Sequence, residues 1–185
     1  IAMVDGFSEF PISAEFTLPA QAVETAVLDT IDAILKDLPH RYSEALRSGM
    51  AKKWAMQKLQ IIDKPLPNIE FKDVRTSTIL KREDAAGKVL LLHFFGIDCE
   101  HCEEEIAWMR SLNEKHMGNL VVWGVSVDLG EEAKVKEFVE KKNLPYPIVL
   151  PTAESHRKLT RIYGGATPQT ILVDGNGVVR EFFVG

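Results

Sequence analysis

Cysteine is nearly absent: the chain of 185 residues has two. Two thiols cannot staple a scaffold, and a chain of this length with 45% hydrophobic residues buries a core without one, so any disulfide here is a functional one. No apolar run approaches the roughly 18–20 residues that cross a bilayer. The start, "IAMVDGFSEF", lacks the basic-then-apolar layout of a signal peptide and reads as trimmed. Basic charge is short as well. Twenty-two Lys and Arg face 27 Asp and Glu, for a net charge of −5, and no basic stripe follows a phosphate backbone, which argues against nucleic acid as a partner. Internal repeats and low-complexity tracts are also missing, and one domain with an appendage fits the length.

What is there divides at the proline-rich stretch "DKPLPN", residues 63–68. Before it, Val23, Ala26, Val27, Ile31, Ile34, Leu35 and Leu38 recur at helical spacing, Pro39 interrupts, and the pattern resumes toward residue 60. Residues 1–62 are therefore expected to form a helical extension. After it, strands and helices alternate. "KVLLLHFFG" (88–96) is a continuous apolar run, as in a strand covered on both faces. A helix follows over about 99–117, acidic at its start, with Lys115 and His116 at its end and Gly118 to stop it. A strand over 119–128, a helix over 131–143, a short strand "YPIVLP", a helix over 153–165 and two strands joined by "DGNG" complete the order. This pattern predicts an α/β domain over 63–185, a sheet with helices on both faces.

The two cysteines stand in "FFGIDCEHCEEEI", at the end of the buried strand and in the first turn of the helix. Residues three apart share a helix face, so Cys99 and Cys102 can be bridged with little backbone movement. The helix N-terminus favours an anion and lowers a thiol pKa, which marks Cys99 as the nucleophile and Cys102, one turn further in, as the resolving thiol. Other readings compete. Structural zinc would need His93, His101 or His116 as further ligands. Haem attachment would need a histidine where Glu103 stands. Inert buried thiols fit poorly at a strand-to-helix junction.

The order of buried strand, CxxC, acidic helix, second strand and "YGGATPQTILVDGNGVV" resembles the thioredoxin superfamily, most closely the TlpA/ResA-type thiol-disulfide oxidoreductases, over residues 63–185. The resemblance implies a thioredoxin-like mixed sheet flanked by helices, with 131–150 as the element added to a minimal thioredoxin. It implies that Thr167 and Pro168 form a cis dipeptide beside the CxxC that pairs with an incoming peptide. It implies protein substrates with cysteine thiols or disulfides, a thiol-disulfide electron donor or acceptor as partner, and an extracytoplasmic location, periplasmic or membrane-tethered; no cofactor and no metal are expected. Glu105 matches a glutamate the family often carries three residues beyond the second cysteine. Independently of the family, it lies one turn below Cys102 on nearly the same face, where a partly buried carboxylate could take that thiol's proton. The plainer alternative makes Glu103, Glu104 and Glu105 first-turn charges alone.

Departures from the family pattern are informative. Asp98 stands where an aromatic residue usually precedes the first cysteine, able to cap the helix and also to set negative charge beside Cys99. Glu100 and Glu103 add to that repulsion, Glu104 is expected to face solvent, and His101 opposes it, like the histidine between the cysteines of disulfide isomerases. The chain ends at "EFFVG", where such domains usually continue into a helix, and the helices at 20–60 are expected to cover that surface. A peroxiredoxin-like peroxidase would need Thr or Ser at the position of Gly96, and a partner-recruiting module with vestigial cysteines is the remaining alternative. His40, His116 and His156 are expected at the surface, His93 as a hydrogen-bonded core residue, and Trp54, Trp108 and Trp123 as packing residues.

Overall fold

The computed structural model describes residues 60–159 and 167–184. Residues 1–59 of the expected helical extension, Trp54 among them, and the C-terminal part of the helix expected over 153–165 lie outside the described residues. Within them, the strands are β1 (Glu70–Asp73), β2 (Ile79–Lys81), β3 (Val89–Phe95), β4 (Leu120–Ser126), β5 (Ile148–Pro151), β6 (Gln169–Val173) and β7 (Val179–Val184). The helices are α1 (Glu100–Lys115), α2 (Glu132–Lys142) and α3 (Ala153–Leu159), with a single 3-10 turn at Arg82–Ala85. The strands form one sheet in the order β2-β1-β5-β4-β3-β6-β7, in which β3, β4 and β5 run parallel and the other pairings are antiparallel.

Strand β3 lies near the centre, and every one of its residues is buried. Side chains alternate across a strand, so Val89, Leu91 and Phe95 join one hydrophobic cluster while Leu90, Leu92 and Phe94 join the other. The first cluster receives Cys102, Ile106, Met109 and Leu112 of α1 and Val135 and Val139 of α2. The second receives Leu159 of α3, together with Phe71 and Trp123, whose rings meet edge to face with centroids 5.8 Å apart. A fully buried Leu or Phe contributes about 1.5–3 kcal/mol, which is why the unbroken apolar run of β3 fixes the layer order. Helices lie on both sheet faces, as the α/β pattern requires.

The hairpin β1–β2 was not legible as two strands, because Phe71 is the one large apolar side chain in β1 and the turn is set by polar contacts. Asp73 Oδ1 accepts from the amides of Arg75 and Thr76 at 2.7 and 2.9 Å, and the Arg75 guanidinium donates to the carbonyls of Leu144 and Tyr146. The "DGNG" turn forms as its sequence demands. Asp174 Oδ1 accepts from the amides of Asn176 and Val178, both at 2.9 Å, and Gly177 supplies the positive φ of +80°. Asn143 ends α2 in the left-handed conformation, whereas α1 ends at Lys115 with His116 as its C-cap, two residues before Gly118, whose φ is positive.

Gly124 of β4 stands opposite His93 of β3. A side chain there would run into the Ile148 Cδ1 methyl and come within 3.2 Å of Phe95 and 3.3 Å of Tyr146. Gly124→Ala is therefore expected to lower the unfolding free energy by about 1–3 kcal/mol in urea denaturation. An unchanged midpoint would contradict the close packing of this layer.

Candidate active site

The chain leaves β3 at Phe95, turns through Gly96, Ile97 and Asp98, and enters α1 at Cys99. Cys99 itself is the N-cap: its Sγ accepts from the Cys102 amide at 3.2 Å. Asp98, which the sequence offered as a cap, is exposed and makes no capping bond to α1. The difference has a physical basis, since a sulfur at the cap receives the unpaired first-turn N–H that would otherwise stabilise a carboxylate, and that same N–H stabilises a thiolate. Cys99 and Cys102 are joined by a disulfide, with Cα atoms 5.2 Å apart. Cys99 is partly exposed, whereas Cys102 is fully buried. An attacking partner therefore reaches Cys99 first.

Below Cys102, Glu105 is buried, with 4% of its surface exposed. Its Oε2 lies 3.2 Å from Nε2 of His93, a side chain with no exposed surface. His93 is thus a hydrogen-bonded core residue, as expected, and its partner is the glutamate of the candidate site. Oε1 of Glu105 and Nδ1 of His93 are buried without a hydrogen-bond partner. Of the three glutamates, Glu103 is a first-turn charge of α1, Glu103 and Glu104 are exposed, and Glu105 is the buried one. Glu103 forms an ion pair with Lys142 of α2 at 2.9 Å, which partly neutralises its expected repulsion of a thiolate.

The Thr167–Pro168 bond is cis. Gln169 pairs with Phe94, so Pro168 immediately precedes the residue opposite the end of β3, which brings residues 167 and 168 to the edge where the CxxC turn begins. Register thus gathers Cys99, Cys102, Glu105, Thr167 and Pro168 at one end of the sheet.

Two residues of this end carried no sequence motif. Asp128, just past β4, accepts at Oδ2 from the Ile97 amide at 3.0 Å and from the Ser126 hydroxyl at 2.8 Å. The carboxylate ties the turn before Cys99 to the neighbouring strand. Polar Ser126 and Asp128 at the C-terminal end of a buried parallel strand, where open α/β sheets collect their sites, are the signal that could have found them. His116, expected at the surface, is half-buried beyond the far end of α1, where burial and then the Lys115 charge hold its pKa below the usual value. Trp123 is buried in the second cluster, and Trp108, partly buried, packs against the first, both as packing residues. The zinc alternative finds no group of three or more ligand side chains among the described residues.

Residues 62–182 match the AhpC/TSA family. The thiol-disulfide oxidoreductase ResA of Bacillus thuringiensis (strain Al Hakam) is 31% identical over 131 residues, covering 70% of this chain and 72% of the relative. Among solved structures, a thiol:disulfide interchange protein of the thioredoxin family from Chlorobium tepidum TLS aligns with a TM-score of 0.58 at 24% identity, over 66% of this chain and 86% of that one. StoA from Bacillus subtilis aligns with a TM-score of 0.53 at 20% identity, over 66% and 91%. These similarities give the described residues a thioredoxin-like fold.

Asp128→Ala leaves the Ile97 amide without its acceptor. Hydrogen exchange at that amide is expected to speed up about tenfold or more, with a loss of about 1–3 kcal/mol in stability. Unchanged exchange would mean that the carboxylate does not hold the turn.

Proposed function

The chain belongs to the AhpC/TSA family as a ResA-type thiol-disulfide oxidoreductase, and from that premise we propose that it exchanges its Cys99–Cys102 pair with cysteines of protein substrates. One observation carries the reading: a disulfide-bonded CxxC at a helix N-terminus, with its first sulfur accessible and its second buried above a buried carboxylate.

In the reducing direction, the Cys99 thiolate attacks a substrate disulfide, forming a mixed disulfide and releasing one substrate thiolate. Cys102 then gives its proton to Glu105, and its thiolate attacks Cys99 Sγ. The internal disulfide forms, the second substrate sulfur leaves as a thiolate that takes up a proton, and the substrate gains the two electrons the enzyme loses. The cis Thr167–Pro168 backbone is the edge against which the substrate segment lies. A second thiol-disulfide protein returns the enzyme to its starting state, and this exchange takes place outside the cytoplasm. No helix among the described residues is long and apolar enough to cross a membrane.

The acidic flank is partly balanced. Lys142 pairs with Glu103, and Lys134 is held charged by its ion pair with Glu131 and, to a smaller extent, by the Asp98 charge. Peroxidase chemistry is disfavoured by Gly96, which offers no hydroxyl three residues before Cys99.

Insulin reduction by the native protein, Cys99→Ser and Cys102→Ser tests the reading. Cys99→Ser is expected to lose activity, and Cys102→Ser to accumulate a mixed disulfide with its substrate. Equal activity in all three proteins would rule the reading out.

A further inference from the structure

The reading above gives Glu105 the Cys102 proton but assigns nothing to the imidazole beneath it. We infer that His93 is a positioning residue for Glu105: its Nε2–H holds Oε2, which leaves Oε1 as the oxygen that receives the proton from Cys102. The inference rests on the Glu105 role proposed above. A carboxylate is an acceptor only, so if Glu105 is to take a proton, the hydrogen between Oε2 and Nε2, 3.2 Å apart, belongs to the imidazole. Oε1, buried and without a hydrogen-bond partner, is the remaining acceptor on the helix face shared with Cys102. The proton moves from Cys102 Sγ to Oε1, and His93 keeps its own throughout.

The surroundings hold the ring in place. Phe95, two residues along β3, stacks on it with centroids 6.0 Å apart and planes 11° from parallel. Across the strand on one side is Gly124, which leaves room, and on the other is Thr170, whose hydroxyl lies on the same sheet face as Leu172 of the first cluster. Among the described residues, the first cluster also holds Cys102 of α1 and Tyr146, on the segment before β5; burial pushes the Tyr146 phenol up and keeps it neutral, against the smaller opposite pull of the Arg110 charge on α1. An N–H donor from His93 offsets part of the cost of burying the Glu105 carboxylate.

Two-phase release of thionitrobenzoate tests this, because reduced protein reacting with 5,5′-dithiobis(2-nitrobenzoate) first loads Cys99 and then expels the second equivalent when Cys102 resolves it. The second phase is followed between about pH 5 and pH 9, on either side of the ordinary thiol and histidine ranges. Glu105→Gln is expected to slow it about tenfold or more near neutral pH. His93→Phe removes the donor, so the carboxylate form requires higher pH, and the midpoint of the profile moves up by about one unit. His93→Gln keeps an N–H near the Nε2 position and restores the native midpoint. In the Glu105→Gln background, His93→Phe moves nothing further. A native second phase in Glu105→Gln overturns the Glu105 reading itself. A normal midpoint in His93→Phe, or a shift that persists without Glu105, overturns the inference about His93 while leaving Glu105 in place. Should His93→Phe fail to fold, ring 15N shifts of the native protein decide: a protonated Nε2 supports the inference, and a neutral ring protonated at Nδ1 alone overturns it.

Discussion

Everything at this site depends on where β3 stops and α1 starts. A seven-residue strand, buried throughout, delivers the chain to one end of the sheet, and the helix begins at the first cysteine. That single junction puts Cys99 at the cap, in reach of a partner and of the Cys102 amide. It puts Cys102 and Glu105 on the inner face of the first turns, pressed against the strand that carries His93. Lengthening the turn by one residue would rotate the helix by about 100°, a consequence of 3.6 residues per turn, and would separate sulfur, carboxylate and imidazole.

The junction is braced from three sides. Asp128 holds the Ile97 amide from the end of β4, the antiparallel register of β6 brings Pro168 to the same edge, and Gly124 lets Phe95, Tyr146 and Ile148 close over the layer beneath. Each brace is a contact between segments far apart in sequence. The site therefore exists only in the assembled sheet, even though its two sulfurs are neighbours on one helix turn.

This division explains how much was legible beforehand. Local chemistry was readable: the apolar run of β3, the CxxC at a helix start, the "DGNG" turn, and the placement of Glu105 below Cys102 by helical spacing. Contacts made by register were not. Spacing along the chain cannot say that His93 lies under Glu105, since that depends on which face of β3 meets α1. Nor can it say that Asp128 reaches Ile97, or that Phe71, flanked by charged residues, is a strand of the same sheet. The expected cap at Asp98 failed for a local reason: the sulfur one residue later already accepts the first-turn N–H.

The helix N-terminus and the buried carboxylate matter only if the pair cycles between dithiol and disulfide. An equilibrium redox titration of Cys99 and Cys102 against a graded thiol buffer tests this directly. The account predicts one two-electron transition between about −120 and −270 mV, the span of thioredoxin-fold exchange enzymes. A midpoint below about −300 mV, where structural disulfides lie, or a pair that never oxidises, would contradict it.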